Sequence, residues 1–145
     1  MILHYAGSLE HAGDIIRRNL GDRARTKVRR NTSLDAMPQD SLAALRSVVL
    51  ETLRVLPAAL CSDDLEVAKE LASRKDTFRA LEDRIVAADL SRGAPDSAAA
   101  KLFLDILRDL HRVTSVLSAA AYPRLAATGL MHGSRLRDQG QIRSE

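Results

Sequence analysis

The chain has 145 residues, a net charge of +3, 46% hydrophobic residues, 3% aromatics and no Trp. That length fits one domain with one continuous core, and the shortage of aromatics leaves Leu, Val, Ile and Ala to fill it, which suits helices packed face to face. The single cysteine, Cys61, excludes an internal disulfide, and no stretch reaches the roughly 18 apolar residues of a membrane helix or shows the basic-then-apolar start of a signal peptide.

A soluble, all-α antiparallel bundle of three to four helices is therefore expected. Residues 2–20 place Leu9, Ala12, Ile16 and Leu20 at helical spacing, and Gly21 stands where a helix would end. Residues 21–40 are polar and basic, with Asn31, Thr32, Ser33 and Pro38, and read as a long connection. Within 17–30, the bases Arg17, Arg18, Arg23, Arg25, Lys27, Arg29 and Arg30 are opposed only by Asp22. A solvated surface is the commoner meaning of such a run. The functional meaning is contact with a partner or an anionic membrane surface, rather than with nucleic acid.

Pro38 at a first-turn position and Leu42, Leu45, Val48, Val49, Leu53, Val55 and Leu56 predict a second helix, which Pro57 should kink or end. Ser62 or Asp63 then suits an N-cap, with Glu66 completing a capping box if Asp63 is the cap. Leu65, Ala68, Leu71, Ala72, Phe78, Leu81 and Ile85 carry a third helix to about residue 89, closed by Gly93 and Pro95. Ala99, Leu102, Phe103, Ile106, Leu110, Val113, Leu117 and Ala120 predict a fourth helix stopping near Pro123. The bundle then occupies residues 1–126. Residues 127–145 hold Gly129, Gly133 and Gly140 without periodicity and read as a flexible tail, with no strands assigned anywhere. Cys61 is expected to be a small buried hydrophobe.

Catalytic motifs are missing: no phosphate-cradling Gly-rich loop, no nucleophile elbow, no His-Glu-x-x-His and no Cys-x-x-Cys occurs, so no enzyme is predicted. Glu10 and Asp14 lie four residues apart on one helix face, a like-charge spacing that costs a few tenths of a kcal/mol and invites a compensating cation. A base from another helix, a shared proton or a bound divalent or ferric metal ion would serve, and two solvated acids are the bland reading. Asp105, Asp109 and His111 form a poorer second set near Ser115. His111 is a weak metal candidate and, as a helical imidazole, the candidate phosphoacceptor of a histidine phosphotransfer bundle, although no glycine follows it to admit a kinase.

Leu9-Glu10-His11-Ala12-Gly13-Asp14 resembles the Leu-Glu-x-x-Gly-Asp signature of PhoU-type helical domains. The run from Asp109-Leu110-His111-Arg112 to Ala121-Tyr122-Pro123 is similar to the last helix of the PhoU-like domain of bacterial sodium/phosphate cotransporters, and residues 68–82, with Lys75, Phe78 and Glu82, to its middle helix. The resemblance spans residues 5–125. It implies a PhoU-like bundle acting as a non-catalytic cytoplasmic regulator of phosphate uptake at the inner face of the plasma membrane. Its implied partners are a transporter membrane domain or a phosphate-signalling protein, and its implied metal ligands are Glu10 and Asp14. His111 and Ser115 stand where a second Glu and Asp would complete another half-site. With no membrane segment ahead of the first motif, the chain is expected to be a domain segment, a shortened gene product or a solitary paralogue. Ile15, Ile16 and Leu20 are expected to leave an apolar face that supports a homodimer, and iron, zinc or manganese is the metal to look for at the acidic pair.

Overall fold

The computed structural model describes residues 2–30, 39–91, 98–129, 131–132 and 135–136. The fold is an all-α antiparallel bundle. Three long helices, α3 (Gln39–Cys61), α4 (Leu65–Ser91) and α5 (Ala98–Ala119), pack on one another. α1 (Ile2–Asp14) lies on α5 and continues through a π-helical turn (Ile15–Leu20) into α2 (Gly21–Arg30). A short α6 (Tyr122–Ala127) closes the end of α4, where Lys75 Nζ sits 4.9 Å from the centre of the Tyr122 ring.

The core follows the helical repeat. α3 buries Leu45, Val49, Leu56 and Ala59; α4 buries Ala68, Leu71, Ala72, Phe78 and Ile85; α5 buries Phe103, Leu107, Val113 and Leu117. Full burial of each Leu, Val, Ile or Phe contributes about 1.5–3 kcal/mol, so these faces hold the bundle together. Two threonines on the same faces are satisfied locally. Thr52 donates to the Val48 carbonyl at 2.8 Å and Thr114 to the Leu110 carbonyl at 3.0 Å, the back-bond one turn earlier that lets a hydroxyl sit inside a helical core. Arg74 ties α4 to α3, with its guanidinium 3.0 Å from Glu51 and 2.5 Å from Glu70.

Several local expectations are corrected. Gly21 does not end the first helix: its backbone is right-handed helical at φ −61°, ψ −45°, and a glycine terminates a helix chiefly by adopting positive φ. Helix therefore runs to Arg30, and only residues 31–38 of the anticipated connection, Pro38 included, lie outside the described residues. The inward face of α1 is Tyr5, Ala12 and Ile15, while Leu9 and Ile16 are each 43% exposed. Pro57 does not end α3, which continues one more turn to Cys61; a proline this near the C-terminus forfeits one hydrogen bond and leaves the core face intact. Cys61, on that last turn, is exposed rather than buried.

The N-cap of α4 is Asp64, whose carboxylate accepts the Glu66 N–H at 2.8 Å. Asp63 instead receives Arg124 from α6, which also donates to the Ala59 and Ser62 carbonyls and so covers the open end of α3. α5 does stop short of Pro123, at Ala119, and Pro123 itself lies in the first turn of α6, which its fixed φ suits. Gly93 and Pro95 lie outside the described residues, as does most of the predicted tail. Within that tail Met131–His132 pairs antiparallel with Arg135–Leu136, a two-residue ladder after the left-handed Gly129 at φ 71°.

Candidate functional site

Two pairs of carboxylates at four-residue spacing occupy opposite environments. Glu10 and Asp14 ride on α1, and both reach solvent. Asp14 faces two bases of its own helical rod, with Oδ1 3.4 Å from Arg17 and Oδ2 3.7 Å from Arg18. An acid placed three or four residues before a base is the favourable orientation on a helix, and it answers the like-charge repulsion without help from another helix. The pair offers a cation two carboxyl groups, one already shared with two guanidinium groups. Among the described residues no group of three or more His, Cys, Asp or Glu is gathered to hold a metal ion.

Asp105 and Asp109 form the second pair, on α5. The Asp109 side chain is only 2% exposed. Arg23 crosses from α2 to meet both acids, its Nε 2.5 Å from Asp109 Oδ2 and its Nη1 2.9 Å from Asp105 Oδ2. Asn19, in the π-helical turn, donates to Asp109 Oδ1 at 3.0 Å. A buried carboxylate is tolerable only when paired and hydrogen-bonded, and Arg23 with Asn19 supplies both. The guanidinium fork reaches two acids one turn apart, which a lysine ammonium could not do with the same geometry.

The π turn explains how both donors arrive. The Gly21 N–H reaches back to the Ile16 carbonyl, five residues earlier, so the turn holds one residue more than an α turn. That extra residue offsets the sideways drift that successive four-residue steps make around an α-helix. Ile15, Asn19 and Arg23 thus stay on the α5 side, although Asn19 and Arg23 are polar.

His111 sits on α5 beside α4. Its Nδ1 is 2.5 Å from Glu82 Oε2, and its ring lies 5.6 Å from that of Phe78. An ionised carboxylate only accepts, so Nδ1 carries the proton and Nε2 keeps the free lone pair in the neutral ring. The His111 side chain is 28% exposed. Glu82 was part of the motif similarity, but its pairing with His111 required knowing how α4 and α5 register.

The basic run divides on folding. Arg23 turns inward to Asp105 and Asp109, with 26% of its side chain still exposed. Arg17, Arg18, Arg25 and Arg29 are exposed and Lys27 half-buried, with Arg25 2.9 Å from Asp22. The Arg30 side chain lies outside the described residues. Ile15, expected on an open apolar face, is buried against the bundle, whereas its neighbour Ile16 is open.

No helix among the described residues is long and apolar enough to cross a membrane. Comparison of the chain with protein-family models, with curated proteins and with solved structures returned no match.

Proposed function

We propose that this chain is a non-catalytic, PhoU-like regulatory and interaction domain that acts in the cytoplasm, at the inner face of the plasma membrane, on phosphate uptake by a sodium/phosphate symporter or its signalling partner. The observation that carries the reading is the division between the two family-like motifs. Leu9, Glu10 and Gly13 of the first lie on the open side of α1, while Asp109, Val113 and Leu117 of the second lie inside the bundle. One motif is available to a partner, and the other builds the scaffold that presents it. Exposed Arg17, Arg18, Arg25 and Arg29 give the same rod an affinity for anionic headgroups, at about 1 kcal/mol or less per base near the surface.

Removing the gene from its native cells should change uptake of radiolabelled phosphate, and a plasmid copy should restore it. Unchanged uptake under both phosphate-rich and phosphate-poor growth would sink the proposal. The membrane part is tested by co-flotation with phosphatidylglycerol vesicles: binding should fall with added salt and vanish with neutral vesicles.

A second reading rests on the His111–Glu82 pair. A helical imidazole with Nδ1 held by a carboxylate presents Nε2 for phosphorylation, as a histidine phosphotransfer bundle requires. Incubation with cognate histidine kinases should then give an acid-labile phosphate absent from His111→Gln, and no label with any of them removes this reading.

A further inference from the structure

We propose that the outer face of α1 is a self-association seam, pairing antiparallel with α1 of a second copy about a twofold axis near Gly13. With Tyr5, Ala12 and Ile15 turned to the bundle, the adjoining flank of the rod exposes Ala6, Leu9, Gly13 and Ile16 at steps of three, four and three residues. Ala6, Leu9 and Gly13 keep the spacing of a coiled-coil seam, with large Leu9 between small Ala6 and Gly13, and exposed Ile16 follows at the start of the π-helical turn. Leu20, half-buried, continues it by a further step of four. Among the described residues the other exposed large hydrophobics are Val28 on α2, Leu104 on α5, and Leu50 and Leu53 on α3, the last two beside exposed Arg46 and Arg54.

Among the described residues nothing crowds Gly13, as nothing crowds Gly7. A Cβ built there meets nothing within 4 Å, and the backbone is ordinary helix. A glycine inside a helix costs about 0.5–1 kcal/mol relative to alanine, and what it offers in return here is close approach from outside.

The flanking charges select the occupant. Glu10 and Arg17 border the same side of the seam, one heptad apart, and both are exposed. An antiparallel copy brings Glu10 of each chain beside Arg17 of the other, giving two equivalent ion pairs under twofold symmetry. In a parallel copy the same flanking position falls on opposite sides of the seam, so Glu10 and Arg17 would not meet across it. The face is thus complementary to itself in one orientation. A single helix pair of this length is at the small end of specific interfaces, so the dimer is expected to dissociate in the micromolar range. This inference does not depend on the link to phosphate.

The test is sedimentation and light scattering of the full chain across a concentration series. Wild type should form a dimer, and Leu9→Glu/Ile16→Glu should be monomeric with unchanged helical circular dichroism. Glu10→Arg or Arg17→Glu alone should each weaken association by roughly tenfold, because like charges then face each other twice. The two reversals combined in one chain should restore it. In a Cys61→Ser background, Gly13→Cys should form an interchain disulfide on mild oxidation. A monomeric wild type would overturn the proposal, the face then being covered by other parts of the chain or by a different protein. A dimer indifferent to Leu9→Glu/Ile16→Glu and to the charge reversals would overturn it equally.

Discussion

Glu10/Asp14 and Asp105/Asp109 have the same spacing in the sequence and opposite fates in the fold. The first pair lies open to solvent, with Asp14 answered by Arg17 and Arg18 of its own rod. The second is buried at Asp109 and answered by Arg23 and Asn19 from a rod that joins the bundle from far away in the chain. Spacing alone sets the repulsion; burial decides how strong an answer is required. In water, local arginines suffice, and each exposed pair contributes about 0–1 kcal/mol. Beneath a packed helix, only a geometrically fixed donor set leaves the carboxylate tolerable.

The largest effect that should separate the regions is Arg23→Ala. It leaves Asp109 buried with Asn19 as its remaining partner, and should cost about 2–3 kcal/mol in urea unfolding, toward the low end for a broken buried pair because Arg23 is itself 26% exposed. The same change should lower the melting temperature by several degrees at roughly 2–4 °C per kcal/mol. Arg23→Lys should recover only part of that loss, since an ammonium cannot span Asp105 and Asp109 as the fork does. Unfolding of this variant at the wild-type urea midpoint would show that charge alone matters.

Asn19→Ala is next, with an expected loss of about 1 kcal/mol for one hydrogen bond to a charged, buried acceptor. No change at all would mean that Arg23 alone satisfies Asp109. Smallest should be Glu10→Ala/Asp14→Ala, within about 0.5 kcal/mol of wild type, as for surface substitutions in general. Elemental analysis of that variant beside wild type sharpens the point. Stoichiometric iron, zinc or manganese in wild type, lost in the variant, would make the exposed pair a metal site; the geometry predicts equal and negligible metal in both.

Much of this was legible in the sequence, and the failures have physical causes. The core faces of α3, α4 and α5 follow directly from the spacing of Leu, Val, Ile, Phe and Ala, because one helical period governs both sequence and burial. The first rod misled twice: Leu9, at helical spacing from Ala12, is 43% exposed ahead of the π turn, and after Ile15 the inward positions are Asn19 and Arg23, both polar, so apolar periodicity points to the wrong side. Gly21 misled for a related reason, its composition suggesting an end that the Arg23 link to α5 overrides.

A base from another helix, one of the three answers expected for Glu10/Asp14 beside a shared proton and a metal ion, meets Asp105/Asp109, while Asp14 has Arg17 and Arg18 of its own rod. Nothing in the sequence marks Asp105/Asp109 as the buried pair and Glu10/Asp14 as the open one. That depends on how α1 and α5 register against each other, as does the meeting of His111 with Glu82. The capping residue of α4 shifted by a single position, from Asp63 to Asp64, because Asp63 is drawn to Arg124.

The most direct test of this division is urea unfolding of Arg23→Ala beside Glu10→Ala/Asp14→Ala at one pH and salt concentration. The account predicts that the single inward substitution costs about 2–3 kcal/mol and the double outward one less than about 0.5 kcal/mol. Equal losses, or a larger loss from the α1 pair, would contradict it and make Glu10 and Asp14 the structural acids of the bundle.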